Sequence, residues 1–428
     1  MAEKSLAARA AALDLLSGVL EDGRQFGALL EDKSGPLRRL DGPGRARAQR
    51  LAADTLRGLG AADAHLKPLL NRKPPLRVMN ILRMAVVECA VAGAPEHGAV
   101  DASVTLVRKS RQTARFSGLT NAVLRKAVAD VAERWPDLPP SRLPNWLRGR
   151  LDAAYGRPIV AAIERSHTRR PPVDLTPRDG DAQKLAQQVN GQVLPTGSVR
   201  LSAGVQISAL PGFEQGDWWV QDAAAAVAAR LIQAGPGQNV LDLCAAPGGK
   251  TLQLAATGAA VTAVDISAQR LKRLDENLAR TRLRAHVVTA DALEWQPNEL
   301  FDAVLLDAPC TATGTIRRHP DLPYVQSADA LRQLTTLQSD LIDRASHLVK
   351  PGGQLLFSTC SLLPAEGEDQ IQAALERHPD FRVLTPEGTT GTNSDWWGPH
   401  GLRLRPDYWQ PMGGMDGFFI CLLERRQT

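Results

Sequence analysis

The sequence predicts a multidomain chain in which an all-α helical bundle precedes an open α/β domain, and three observations carry the expectation. Within residues 1–130, five segments show helical apolar spacing and few strand signals. From Asn239 onward, short apolar runs closed by acidic or polar turns alternate with helical segments. Residues 301–361 read as strand, helix and strand, a unit whose right-handed crossover makes its two strands parallel and adjacent.

The helical segments are 7–20, 45–59, 75–92, 97–109 and 119–131, parted in places by turn clusters such as Ser34-Gly35-Pro36 and Asp41-Gly42-Pro43-Gly44. They predict a bundle without a catalytic constellation of its own. Residues 1–150 carry 25 Lys+Arg against 15 Asp+Glu, whereas the rest of the chain carries 26 against 31. A basic module joined to a slightly acidic one suggests a polyanion held by the first and worked on by the second. An ordinary Arg-rich solvated surface gives the same count. Trp135-Pro136-Asp137-Leu138-Pro139-Pro140 closes the bundle, and a short mixed segment with Arg169-Arg170-Pro171-Pro172 and several turns follows. It reads equally as part of a nucleic-acid groove and as a connector. Asp217-Trp218-Trp219-Val220-Gln221-Asp222 then leads into a helix at 223–234, so the expected domains are 1–135, 136–212 and 213–428.

Composition narrows the class. At 428 residues, with 43% hydrophobic and 23% charged residues, the chain reads as a soluble globular protein. No apolar run approaches membrane-spanning length, and the amphipathic, acid-bearing start MAEKSLAARAAALDLL does not read as a signal peptide. Five scattered cysteines, Cys89, Cys244, Cys310, Cys360 and Cys421, supply neither a disulfide framework nor paired zinc spacing, and the histidines show no HExxH pair. A cytoplasmic protein without a metal is expected.

The α/β half opens with the strand 239–243. Cys244-Ala245-Ala246-Pro247-Gly248-Gly249-Lys250 follows as a glycine-bearing turn into a helix at 251–256. Glycines there let backbone approach a ligand at a helix N-terminus, although the turn matches neither GxGxxG nor the phosphate loop. The next strand, 260–264, ends in Asp265, about 20 residues after the first, where an acid commonly accepts from ribose hydroxyls. A third strand, 285–289, precedes Asp291, placed to reach an adenine edge, and a fourth, 303–306, precedes Asp307. Three carboxylates at successive strand ends make a poor diphosphate site. They suit a nucleoside that carries a cationic sulfonium.

The helix 327–349 stops at Lys350-Pro351-Gly352-Gly353 and the strand 354–357 ends in Ser358-Thr359-Cys360-Ser361. Cys310 and Cys360 then both sit at carboxyl ends, the ligand edge of an open α/β sheet. Two thiols and Asp307 in one crevice suggest covalent chemistry on an electrophilic carbon. Cys89 lies in an apolar helix and Cys421 in the C-terminal strand 418–423, so both read as structural. Cys244 is expected to contribute backbone. Arg317, Arg318 and His319, just beyond Cys310, read equally as holders of a flanking backbone and as surface charges.

Two resemblances sharpen this reading. Pro95-Glu96-His97-Gly98-Ala99-Val100 and Asn121-Ala122-Val123-Leu124-Arg125 resemble the NusB-like RNA-binding helical domain, with His97 as a helix-start residue. VLDLCAAPGGKT, VLLDAPCTATGTIRRHPD and STCS, supported by VQDAAA and GGMDGFF, resemble the RNA cytosine-C5 methyltransferases that use S-adenosylmethionine. With the NusB-like front end, the whole chain is similar to the bacterial 16S ribosomal RNA methyltransferases of the B type, Sun or Fmu. The resemblance implies a Rossmann-like catalytic domain. By it Cys244, Ala245, Ala246, Pro247, Gly248, Gly249, Lys250, Asp265, Asp291 and Asp307 bind the cofactor, Cys360 is the nucleophile and Cys310 assists release. The chemistry is coherent: cytosine C5 is a weak nucleophile until a thiolate adds to C6, and Asp307 can hydrogen-bond N3 as charge develops. It also implies RNA as partner, 16S ribosomal RNA before full subunit assembly, engaged by a monomer with no membrane and no metal.

Alternatives stay open at this level. Asp307-Ala308-Pro309-Cys310 lacks the aromatic of exocyclic-amine methyltransferases, while a DNA-type assignment would promote Cys310 over Cys360 as nucleophile. Transfer RNA is a rival substrate, and a non-catalytic RNA-binding assembly factor a rival class.

Overall fold

Residues 2–386 and 391–427 are described by the computed structural model, and by their contacts they divide into two units. One unit comprises Met1–Gly149, Arg157–Arg170 and Ile316–Gln326, and the other Arg150–Gly156, Pro171–Thr315 and Ser327–Thr428.

The first unit is helical, as its spacing predicts. Its central helix Leu76–Ala92 is buried continuously from Val78 to Cys89, which accords with a sequence apolar nearly all round. Gly93 at φ 61° ends it in the left-handed conformation. The charged residues it buries are paired: Glu88 with Arg9 at 2.7 Å and Arg47 at 3.0 Å, and Arg83 with Asp63 at 2.6 Å. Helices Ala2–Leu20 and Gly42–Arg57 pack against it through Leu13, Leu16, Leu51 and Leu56. Phe26–Glu31 and Leu59–Leu66 are also helical; at six and eight residues they are too short to show a period in the sequence.

Ile316–Gln326 joins this unit although it lies between two strands of the other. Asp321 accepts from the Phe26 N–H at 2.8 Å, the Arg57 guanidinium donates to the Arg317 carbonyl, and Tyr324 and Val325 pack on the helical core. Arg317 is buried at 2% exposure, so its reading as a holder of flanking RNA backbone fails on access. The stretch 136–212 is divided too, since Arg157–Arg170 belongs to the helical unit and Pro171 onward to the other.

In the second unit β1 (Val173–Pro177), β2 (Gln192–Val193), β3 (Val199–Leu201) and β4 (Trp218–Val220) form a small antiparallel sheet in the order β2-β3-β1-β4. A second sheet holds β5 (Asn239–Leu243), β6 (Ala260–Asp265), β7 (His286–Thr289), β8 (Phe301–Asp307), β9 (Val349–Thr359), β10 (Phe381–Leu384), β11 (Trp397–Gly398), β12 (Gly401–Leu404) and β13 (Phe418–Arg425). Its order is β11-β12-β13-β9-β8-β5-β6-β7, with β10 on β13. β9, β8, β5, β6 and β7 run parallel, and β13 pairs antiparallel with β9. The order reverses at β5, which places the ligand crevice at its carboxyl end.

β8 and β9 are adjacent and parallel, with Leu306 opposite Phe357 and Asp307 opposite Ser358. β9 begins earlier than the sequence suggests. The ladder runs from Val349 through Lys350-Pro351-Gly352-Gly353 and absorbs these residues as a register shift opposite Phe301 and Ala303, with Gly352 at φ 78°. Apolar β-branched and leucine residues cover both faces of these strands, so the site residues are borne on a buried, rigid frame.

Candidate active site

The site is built where β5, β6, β7, β8 and β9 end. After Leu243 the chain turns through Cys244 at φ 60° and Gly248 at φ 105° into the helix Gly249–Ala256. A side chain at Gly248 would be strained at that φ and would strike Leu274, while one at Gly249 would come to 3.3 Å from the Gln221 side chain, a tight but yielding contact. Asp265, 3% exposed at the end of β6, accepts from the Ala246 N–H at 3.0 Å and the Ser267 N–H at 2.9 Å. It therefore braces the turn as well as facing the crevice. Asp291, half-buried beyond β7, accepts from the Leu293 N–H at 2.9 Å.

Beneath the turn lies Asp242, fully buried, whose proton affinity is raised to about 7, chiefly by burial. Thr251 donates to one of its oxygens at 2.6 Å and the other has no partner among the described residues. The Cys244 thiol is pushed up to about 12, first by burial and then by Asp265, Asp307 and Asp242. It offers no thiolate near neutral pH.

Lys250 turns away from the glycine turn toward the neighbouring strand. Its Nζ donates to Asp307 at 2.7 Å and lies 5.2 Å from the centroid of Phe418. Asp307 also accepts from Ser358 Oγ at 2.9 Å. One ion pair thus links the turn after β5 to the ends of β8 and β9.

Cys310 and Cys360, both half-buried, bring their sulfurs to 3.4 Å. The Cys310 thiol is held well above the ordinary range, first by its hydrogen bond to Cys360 and then by burial. Either sulfur can donate in this contact, so the geometry places the two thiols to share one proton. Below them sits a carboxylate that sequence reading missed. Glu366, fully buried, accepts from the Thr311 N–H at 2.8 Å, Ser361 Oγ at 2.6 Å, Gln338 Nε2 at 3.1 Å and Thr311 Oγ1. It ties the residue after each cysteine to one anchor. An acid in the apolar run Leu362-Leu363-Pro364-Ala365-Glu366 was the only signal, and a turn charge gives the same one.

The remaining cysteines and His97 differ in burial. Burial pushes the thiol of Cys89 up to about 11 and that of Cys421 higher still, and neither faces the crevice strands' ends. His97 lies in the first turn of Glu96–Arg108, exposed. Among the described residues no group of three or more His, Cys, Asp or Glu is placed to hold a metal ion, and no helix is long and apolar enough to cross a membrane. The donor set fits a nucleoside with a positive centre. Asp265, Asp291 and Asp307 stand at or just beyond the ends of β6, β7 and β8, and the basic groups nearby, Lys250 and Arg270, are turned to Asp307 and Asp265.

Comparison with known proteins agrees with this geometry. Residues 229–424 match the family model described as 16S rRNA methyltransferase RsmB/F, and residues 6–129 match the NusB family. The chain is 34% identical to ribosomal RNA small subunit methyltransferase B of Cronobacter sakazakii, over 99% of this chain and 100% of that protein. It is 35% identical to the protein of the same name from Yersinia pseudotuberculosis, over 99% and 98%. The crystal structure of PH0851 superposes with a TM-score of 0.74 at 23% identity, covering 98% of this chain and 99% of that one. A methyltransferase homolog protein from Pyrococcus horikoshii gives 0.56 at 25% identity, over 66% and 95%.

Proposed function

Because the chain belongs to the 16S rRNA methyltransferase RsmB/F family, we propose that it methylates C5 of a cytidine in that RNA through a bond between Cys360 Sγ and C6. The observation that carries the reading is the sulfur pair, 3.4 Å apart at the ends of adjacent parallel strands beside the ion-paired Asp307. S-adenosylmethionine supplies the methyl group when bound, and residues 244–250 with Asp265, Asp291 and Asp307 hold it.

The chain's own groups divide the remaining work. Cys360, after losing its proton to water, adds as thiolate to C6, and the ring's electron pair moves toward C5 and N3. Asp307 contacts N3. To donate there it must carry a proton, and Lys250 Nζ at 2.7 Å is its nearest source. C5 then takes the methyl group. Cys310 accepts the C5 proton, and the pair returning to the ring expels Cys360 as thiolate. Cys310 must by that stage have passed its own proton to water, so that its thiolate takes the C5 proton.

The target base must leave any stacked structure to reach the crevice, at about a few kcal/mol. We read the helical unit as RNA-binding and the unit that carries both sheets as catalytic, acting as a cytoplasmic monomer. The test uses labelled S-adenosylmethionine with protein-free small-subunit RNA and a transfer-RNA pool. Label in 5-methylcytosine of ribosomal RNA, lost in Cys360→Ala and trapped as a denaturation-resistant adduct in Cys310→Ala, is expected. An adduct in Cys360→Ala instead reverses the cysteine roles, and label in transfer RNA alone overturns the substrate.

A further inference from the structure

The helical unit contains a cavity of about 680 Å3 outside the site described above. Four stretches distant in sequence wall it: the end of Gly42–Arg57 with the residues after it, the end of Leu76–Ala92, the proline-rich run 135–141, and the end of the helix Arg157–His167 with the residues after it. Arg57, Arg165, Arg169 and Arg170 line it, and Asp54 is the single carboxylate among the lining residues. Asp54, buried, accepts from Arg57 at 3.1 Å and from Arg170 Nε at 3.0 Å. That carboxylate fixes two guanidiniums and neutralises one charge. Arg165 and Arg169 are exposed and have no ion-pair partner among the described residues.

Beside these cations stands a flat apolar wall. Trp135 is half-buried and seated over Gly58, where a side-chain carbon would come to 2.8 Å from the indole ring. Pro136, Pro139 and Pro140 continue the wall. Unpaired guanidiniums next to an aromatic surface in a concave site match a single strand of nucleic acid, which offers phosphates and base faces together. An A-form duplex, which is recognised across its minor groove by shape and 2′-hydroxyls, does not call for such a cleft.

We propose that this cleft binds a single-stranded segment of the substrate RNA, its phosphates on Arg165 and Arg169 and a base against Trp135. The proposal rests on ribosomal RNA as substrate and is independent of the carbon that is methylated.

The test measures binding of the full chain to a labelled single-stranded oligonucleotide of small-subunit ribosomal RNA across a salt series. Arg165→Gln with Arg169→Gln is expected to weaken binding at least tenfold at low salt. It should reduce the slope of log K against log salt by about 1.4, since each phosphate contact to a single strand contributes about 0.7. Lysine at both positions should restore most of the slope. Binding of S-adenosylmethionine, read by calorimetry, serves as the folding control. Unchanged affinity and slope in the glutamine pair, with that control intact, overturns the proposal. Equal, arginine-dependent binding of poly-glutamate also overturns it, in favour of an acidic protein partner. Failure of the C5 reading looks different: label then appears in another nucleoside while RNA binding still depends on the two arginines.

Discussion

The turn after β5 is shaped mainly by backbone and glycine, whereas the turns after β8 and β9 carry the side chains of the sulfur pair. The first wall gets its shape from Gly248 and Gly249 and from Asp265 bracing Ala246, all within 30 residues of sequence. The second depends on Glu366, which gathers Thr311, Ser361 and Gln338 from three separate elements to set two sulfurs 3.4 Å apart. A cofactor that must be held can be met by fixed dipoles, while a carbon that must be attacked needs a group able to give and take protons. Lys250 belongs to the first wall by chain and to the second by its contact with Asp307.

The comparison can be broken most sharply at the nucleophile. Cys360→Ala should lower methyl transfer by about 10^3-fold or more while leaving S-adenosylmethionine binding intact, as read by single-turnover label transfer beside calorimetry. If both are lost together, the two walls are not separable. Next comes the anchor. Glu366→Ala strands several buried donors and should cost about 3 kcal/mol in denaturant unfolding. Glu366→Gln, which keeps one carbonyl acceptor, should cost about 1 kcal/mol and lower kcat with little change in either KM. A loss of cofactor affinity as large as the loss of kcat would show that Glu366 supports the whole crevice.

On the backbone wall, Asp265→Ala should weaken S-adenosylmethionine binding about tenfold, the order of one hydrogen bond to a charged group. The rate of Cys360 alkylation by a small reagent should not change, and a change of more than about threefold would join the walls. The last effect is read as a slope with pH and concerns Asp242. Its folded proton affinity, about 7, lies above the ordinary carboxylate value of 3.8, so the native state binds more protons than the unfolded one between them. Stability therefore falls as pH rises through that window, by at most about 1.4 kcal/mol per pH unit. Asp242→Asn, which still accepts from Thr251, should flatten the decline between urea unfolding curves at pH 5 and pH 8. An unaltered decline would place the proton elsewhere.

The sequence by itself determined the parallel order of β8 and β9, the helical front and the glycine turn, because apolar period, turn residues and the handedness of a crossover act over short spans. It also put Asp265, Asp291, Asp307, Cys310 and Cys360 at strand ends, since a motif that meets a ligand with backbone must be contiguous. Only the tertiary structure decided what depends on remote partners. Lys250 faces Asp307 because β5 and β8 are neighbours, and Glu366 lies under both thiols because its turn folds back beneath β9. Arg317 is buried in the helical unit because Asp321 and Tyr324 carry its segment there. A buried charge is stable only where several distant donors converge on it, and no local pattern records that convergence.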